Sequence, residues 1–66
     1  MKRYNLVNFR KRKELTQKEM ADKLEVAKST YVNIERGVSH PSWGVMQRFA
    51  DVFQLDEIWC YFKKFQ

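Results

Sequence analysis

Apolar residues recur at helical spacing along most of the chain, and the polar stretches between them divide it into five predicted helices. The first runs from about Tyr4 to Lys13, with Leu6, Phe9 and the stem of Lys13 on one face and Arg10 at its edge. The second, Gln17 to Leu24, turns Met20, Ala21 and Leu24 inward and leaves Lys18, Asp22 and Lys23 to water. Its start is marked twice: Thr16 and Glu19 have capping-box spacing, and Leu15 and Met20 flank the cap as a hydrophobic staple. The third, Lys28 to Arg36, buries Tyr31 and Ile34 and stops at Gly37, a natural residue for a left-handed helix end. Ser42 caps a fourth helix reaching Phe53, whose stripe of Trp43, Met46, Phe49, Ala50 and Phe53 reads as core. Gly44 in its first turn leaves room for another backbone to approach. The fifth, about Asp56 to Lys64, carries Ile58, Trp59 and Phe62 at helical spacing, with Leu55 before it and Phe65 after it.

The short break at Glu25-Val26-Ala27 makes the second and third helices a pair joined by a tight turn, the helix-turn-helix plan. Inward Tyr31 and Ile34 leave Lys28, Ser29, Val32, Asn33 and Arg36 on the outer face of the third helix. These side chains suit base edges. Lys28 can donate to guanine O6 and N7, Asn33 can pair bidentately with adenine, and Ser29 can bond to several bases. A methyl of Val32 or Ala27 can meet the thymine methyl. Arg36, at the helix end, suits a phosphate. The competing reading, ordinary exposed helix polars, loses weight because this face lacks the Glu/Lys mixture of a solvated helix.

Leu15-Thr16-Gln17, Ala21, Leu24-x-Val26, Ser29-Thr30, Ile34-Glu35-Arg36-Gly37 and Pro41-Ser42 together resemble the lambda-repressor-like helix-turn-helix family, the Cro/cI-type or Xre-type regulators. The resemblance covers nearly the whole chain. It implies a single all-α, compact five-helix domain over residues 1–66 that binds double-stranded DNA and regulates transcription, as a repressor, from a pseudo-palindromic operator. It also implies roles. Gln17 would reach a phosphate from the first turn of the second helix, and Thr30, Arg36, Ser39, His40 and Ser42 would complete the phosphate contacts. Arg10 and Glu35 would form a structural ion pair between the first and third helices. The chain departs from the family at Glu25, where glycine is usual, and at Ala27, where a serine cap is common. The loop before the last helix is also shorter than usual, which leaves that helix's angle open.

Charge sharpens the picture. The chain carries +5, and the whole excess lies up to Arg36, where ten Lys/Arg face five Asp/Glu; three of each follow. A basic half beside a neutral, aromatic half fits a polyanion-binding face backed by a core, although a merely solvated basic surface is the competing reading. A chain of 66 residues has room for one small core. It cannot easily bury every ring near its end, so Trp59, Phe62 and Phe65 are expected at a homodimer interface. The tail beyond Tyr61 could be helix or strand.

Other classes fare worse. Cys60 is the sole cysteine and His40 the sole histidine, so neither a disulfide nor a metal centre is expected, and no cofactor box is visible. No Gly-rich phosphate loop, Ser/His/acid set or carboxylate cluster suggests an enzyme. The longest apolar run, Ile58 to Phe62, is far short of the ~20 residues of a membrane span. No apolar stretch follows Lys2 and Arg3 before Arg10-Lys11-Arg12-Lys13, so no secretory signal is expected and a cytoplasmic, nucleoid-associated location is. The serious alternative function is a protein-interaction module, such as the antitoxin of a toxin–antitoxin pair, with a toxin or polymerase as protein partner.

Overall fold

The computed structural model describes residues 2–62, without the side chains of Trp59 and Cys60. Four helices form where local sequence supports them: α1 (Tyr4–Arg12), α2 (Gln17–Leu24), α3 (Lys28–Glu35) and α4 (Trp43–Phe53). α2 starts on a complete capping box. The Glu19 amide donates to Thr16 Oγ1 at 3.0 Å, and the Thr16 amide donates to Glu19 Oε1 at 2.8 Å. α4 starts with the Val45 amide on Ser42 Oγ at 3.2 Å. α3 starts at Ala27 with no side-chain cap, as the alanine requires.

All four helices end alike. Glu14, Glu25, Gly37 and Gln54 take left-handed backbone angles, with φ of 59°, 59°, 79° and 56°. Beyond each, an amide turns back onto the helix: Leu15 to Arg10 O, Val26 to Ala21 O, Val38 to Asn33 O and Leu55 to Ala50 O. These bonds satisfy carbonyls that a helix end would otherwise leave unpaired. Only Gly37 adopts this conformation without a steric penalty. Glu25 therefore keeps the left-handed turn that glycine would supply.

The five-helix expectation is corrected here. Among the described residues there are four helices, followed by α5, a single turn at Trp59–Phe62. No helix begins at Asp56. Once Gln54 has turned left-handed, Leu55 and Ile58 pack on the core while Asp56 and Glu57 between them stay exposed. A short isolated segment gains too few hydrogen bonds to propagate a helix on its own.

Leu6, Phe9, Met20, Ala21, Leu24, Tyr31, Ile34, Phe49 and Phe62 form the buried core. Phe9 of α1 sits edge-on to Phe49 and Phe53 of α4 and to Tyr61 of α5, with ring centroids 5.2, 4.9 and 5.0 Å apart. Phe62, expected on a dimer surface, is instead 6% exposed and meets Phe49 edge-on at 5.0 Å. The Trp59 side chain and Phe65, its two companions in that expectation, lie outside the described residues. Trp43 is corrected in the opposite sense. It is 64% exposed at the edge of a cleft that it shares with Leu55 and Ile58, while Met46, Phe49 and Phe53 pack in or on the core. Among the described residues outside its own helix backbone, a Cβ added at Gly44 would meet only Ser42 Oγ, at 3.8 Å.

Candidate nucleic-acid interface

The placement of α3 is governed by one buried carboxylate. Glu35, at the last position of the helix, is 2% exposed. Its Oε2 accepts from Arg10 Nε at 2.6 Å and from the Tyr31 hydroxyl at 2.5 Å. Its Oε1 accepts from Gln17 Nε2 at 3.1 Å. Arg10 in turn donates from its guanidinium to Leu15 O at 2.9 Å. Glu35 thus ties α3 to α1 and to the start of α2, and Arg10 carries the tie on to the connection between those helices.

Burial alone would push the Glu35 carboxyl upward. The hydrogen bonds from Arg10, Tyr31 and Gln17 outweigh that cost and hold it below the usual carboxylate range. Tyr31 is pushed far above the ordinary phenol value, first by burial and then by its bond to the Glu35 carboxylate. Burial opposes the charge on Arg10 as well, but the Glu35 contact prevails and raises it.

With its inner face held in this way, α3 turns a polar face outward. Lys28, Ser29, Thr30 and Arg36 are exposed, and Val32 and Asn33 are half-buried beside them. Asn33 and Ser29, four apart, lie on one helical ridge with Lys28 and Val32 next to it. The segment after Gly37 folds back against the end of α3. The Val38 and Ser39 amides both donate to Asn33 O, at 3.0 and 3.2 Å. This sets His40 and Ser42, both exposed, beyond the same end of the helix, with Ser39 half-buried. Ser42 Oγ is already engaged as the α4 cap.

Gln17 is placed differently from a simple phosphate ligand. It is half-buried, and one amide hydrogen is committed to Glu35. The second hydrogen of Nε2 is the one that can serve a phosphate. The side chain therefore belongs to the scaffold as well as to the surface.

Sequence reasoning missed Arg3, which it counted only as part of the basic N-terminal segment. The residue is 1% exposed, and its guanidinium is ringed by backbone carbonyls. Nε donates to Phe62 O at 2.6 Å, and one terminal nitrogen donates to Ile34 O at 2.5 Å and to Ser39 O at 2.9 Å. The other lies 3.4 Å from His40 Nδ1. The Arg3 amide also donates to Glu35 O at 2.7 Å. No local pattern signals this, since its side-chain partners lie 31 to 59 residues away.

A helix-turn-helix family model matches residues 6–60 of this chain. No curated protein and no solved structure matches it. The architecture and the match agree, and the chain belongs to the lambda-repressor-like helix-turn-helix family of DNA-binding regulators. Among the described residues no group of three or more His, Cys, Asp or Glu is arranged to hold a metal. No helix among them is long and apolar enough to cross a membrane.

Proposed function

We propose that this protein is a sequence-specific repressor that binds operator DNA as a homodimer, with α3 in the major groove. The observation that supports this best is the division of α3. Its inner face is fixed by the Glu35 network, while Lys28 and Ser29 are exposed and Asn33 half-buried on the other face. Lys28, Ser29, Val32 and Asn33 read base edges in this proposal, and Gln17, Thr30, Arg36, Ser39, His40 and Ser42 hold phosphates on either side. The basic excess ahead of Gly37 supplies the sequence-independent attraction.

Dimerisation places two α3 helices about 34–36 Å apart, one duplex turn. Since Phe62 is internal, the contact surface is drawn instead around exposed Trp43. A cleft of about 220 Å³ lies beside it, lined in part by Ala50, Leu55 and Ile58. A cytoplasmic location accompanies this reading.

Selection from random duplexes tests base preference and dimeric docking together. A twofold-symmetric enriched motif is expected. Log affinity should fall linearly with log salt, by about 0.9 for each phosphate neutralised. Asn33→Ala should relax preference at one position of each half-site, while Gln17→Ala should weaken all duplexes alike. A flat salt response, or uniform loss for both variants, counts against this assignment. Stable co-purification with a small partner protein, with no duplex affinity for the chain alone, supports the antitoxin alternative instead.

A further inference from the structure

Among the described residues, Arg3 is a charge buried without a carboxylate partner. Its guanidinium gathers the C-terminal carbonyl region of α3, the carbonyl of Ser39 in the following loop and the carbonyl of Phe62 in α5 into one cluster. Carbonyl oxygens and the negative end of a helix dipole are what stabilise such a cation in place of an anion. A planar fork can serve three separated acceptors at once, whereas an ammonium group presents a single point of charge. The arrangement also reaches outward, because His40 Nδ1 is 3.4 Å from the same guanidinium and His40 is exposed.

We propose that Arg3 is a positioning residue for DNA contact, holding the Ser39–His40 loop at the end of the reading helix through its shared hydrogen bonds to Ile34, Ser39 and Phe62. This rests on the DNA-binding reading above. Arg3 touches no nucleotide in this role. It sets the height of the loop relative to α3, so that phosphate contacts from the loop and base contacts from the helix are made in the same docking. It also joins the loop to α5 through the Phe62 carbonyl, so one side chain fastens both the N-terminal segment and α5 to the binding face.

The test compares Arg3→Lys with the wild-type chain, because lysine keeps the net charge and removes the fork. Backbone amide exchange at Val38 and Ser39, whose amides donate to Asn33 O, followed by NMR without DNA, reads the loop directly. At a temperature where circular dichroism shows the variant folded, those amides should exchange at least tenfold faster while α2 amides are unchanged. Duplex affinity should then fall for operator and random DNA by a similar factor, with the log–log salt slope unchanged, because the variant keeps the charge and the loop contacts from Ser39 and His40 neutralise no phosphate. His40→Ala in the Arg3→Lys background should add little to that loss, since the loop is already released.

If Arg3→Lys does not fold, the wild-type chain still decides the matter. The Arg3 Nε–H resonance should be protected from solvent exchange and should shift when duplex is added. Unchanged loop exchange in a folded Arg3→Lys variant overturns the proposal, as does an Nε–H resonance that ignores saturating duplex. Loss of stability with intact duplex affinity in the folded protein overturns it too. A wild-type chain with no duplex affinity sinks the DNA-binding reading and with it Arg3's proposed DNA role; the exchange experiment then reports only whether Arg3 holds the loop.

Discussion

Glu35 shows how much one residue can determine. A carboxylate 2% exposed remains charged because each oxygen has a donor, and one donor is a cation. Tyr31→Phe removes a hydrogen bond to a charged group, and an unfolding free energy lower by about 1.5–3 kcal/mol is expected from denaturant titration. Glu35→Gln is more damaging, since it strands the Arg10 guanidinium, itself only 12% exposed, and about 3–5 kcal/mol is expected. The pH dependence has a definite sign. The folded carboxyl binds its proton less readily than the unfolded one, so its contribution is complete above the ordinary glutamate value of about 4.3. It is lost as pH falls through the lower folded value, because the unfolded chain takes up the proton first. Thermal melts between about pH 5 and 3 should therefore show a steeper decline for wild type than for Glu35→Gln. Equal slopes would mean that other carboxylates dominate acid unfolding.

At the scale of the elements, α2 and α4 start on side-chain caps, α1 and α3 do not, and most helix ends are strained. Three of four left-handed ends carry Glu or Gln rather than glycine, each adopting a conformation that disfavours a Cβ by about 1–2 kcal/mol. Glu25→Gly should relieve this and raise stability by up to about 1 kcal/mol after the greater chain entropy of glycine is counted. The Glu25–Arg48 pair that it removes spans 3.6 Å between side chains 70% and 41% exposed, and such pairs contribute at most about 1 kcal/mol. Glu25→Ala separates the effects: it loses the pair but keeps the strain, and should melt below both wild type and Glu25→Gly. At the other end of the same turn, Ala27→Ser supplies the absent cap of α3, for a gain of about 1 kcal/mol. A gain of 1 kcal/mol corresponds to a Tm higher by about 4–8 °C in a domain of this size. No rise with Ala27→Ser would show that the first amides of α3 are satisfied in another way.

For the whole molecule, the aromatic core and the cationic surplus meet on α1. Aromatic residues from α1, α4 and α5 close the core, and the surplus of Lys and Arg lies in the sequence ahead of Gly37, with Arg12 and Lys13 6.0 and 5.5 Å from the Phe9 ring centre. Trp43 belongs to neither group, and its 64% exposure makes it the residue through which association can be tested. In the dimer proposal, Trp43→Glu should give a monomer by sedimentation, with folding intact and operator affinity lower by at least tenfold. A dimer that survives this substitution places the twofold contact elsewhere.

Much of this protein is determined by interactions within a few residues, and those parts were legible from its sequence. The capping box at Thr16 and Glu19, the span of α2, the inward Tyr31 and Ile34 and the stop at Gly37 depend on spacings of three or four positions, which local chemistry dictates. The family pattern added the pairing of Arg10 with Glu35. Contacts between distant segments settled the rest. Trp43 shares its stripe with Phe49 but stays largely exposed at the edge of a cleft; Phe62 resembles a surface ring until α4 packs against it. Gln17 acquires its partner only when α3 arrives, and Arg3 is buried only when the loop after α3 and the C-terminal turn converge on it. Periodicity states which face of a helix is apolar, whereas the tertiary arrangement decides how far along that face the cover extends and which charge lies beneath it.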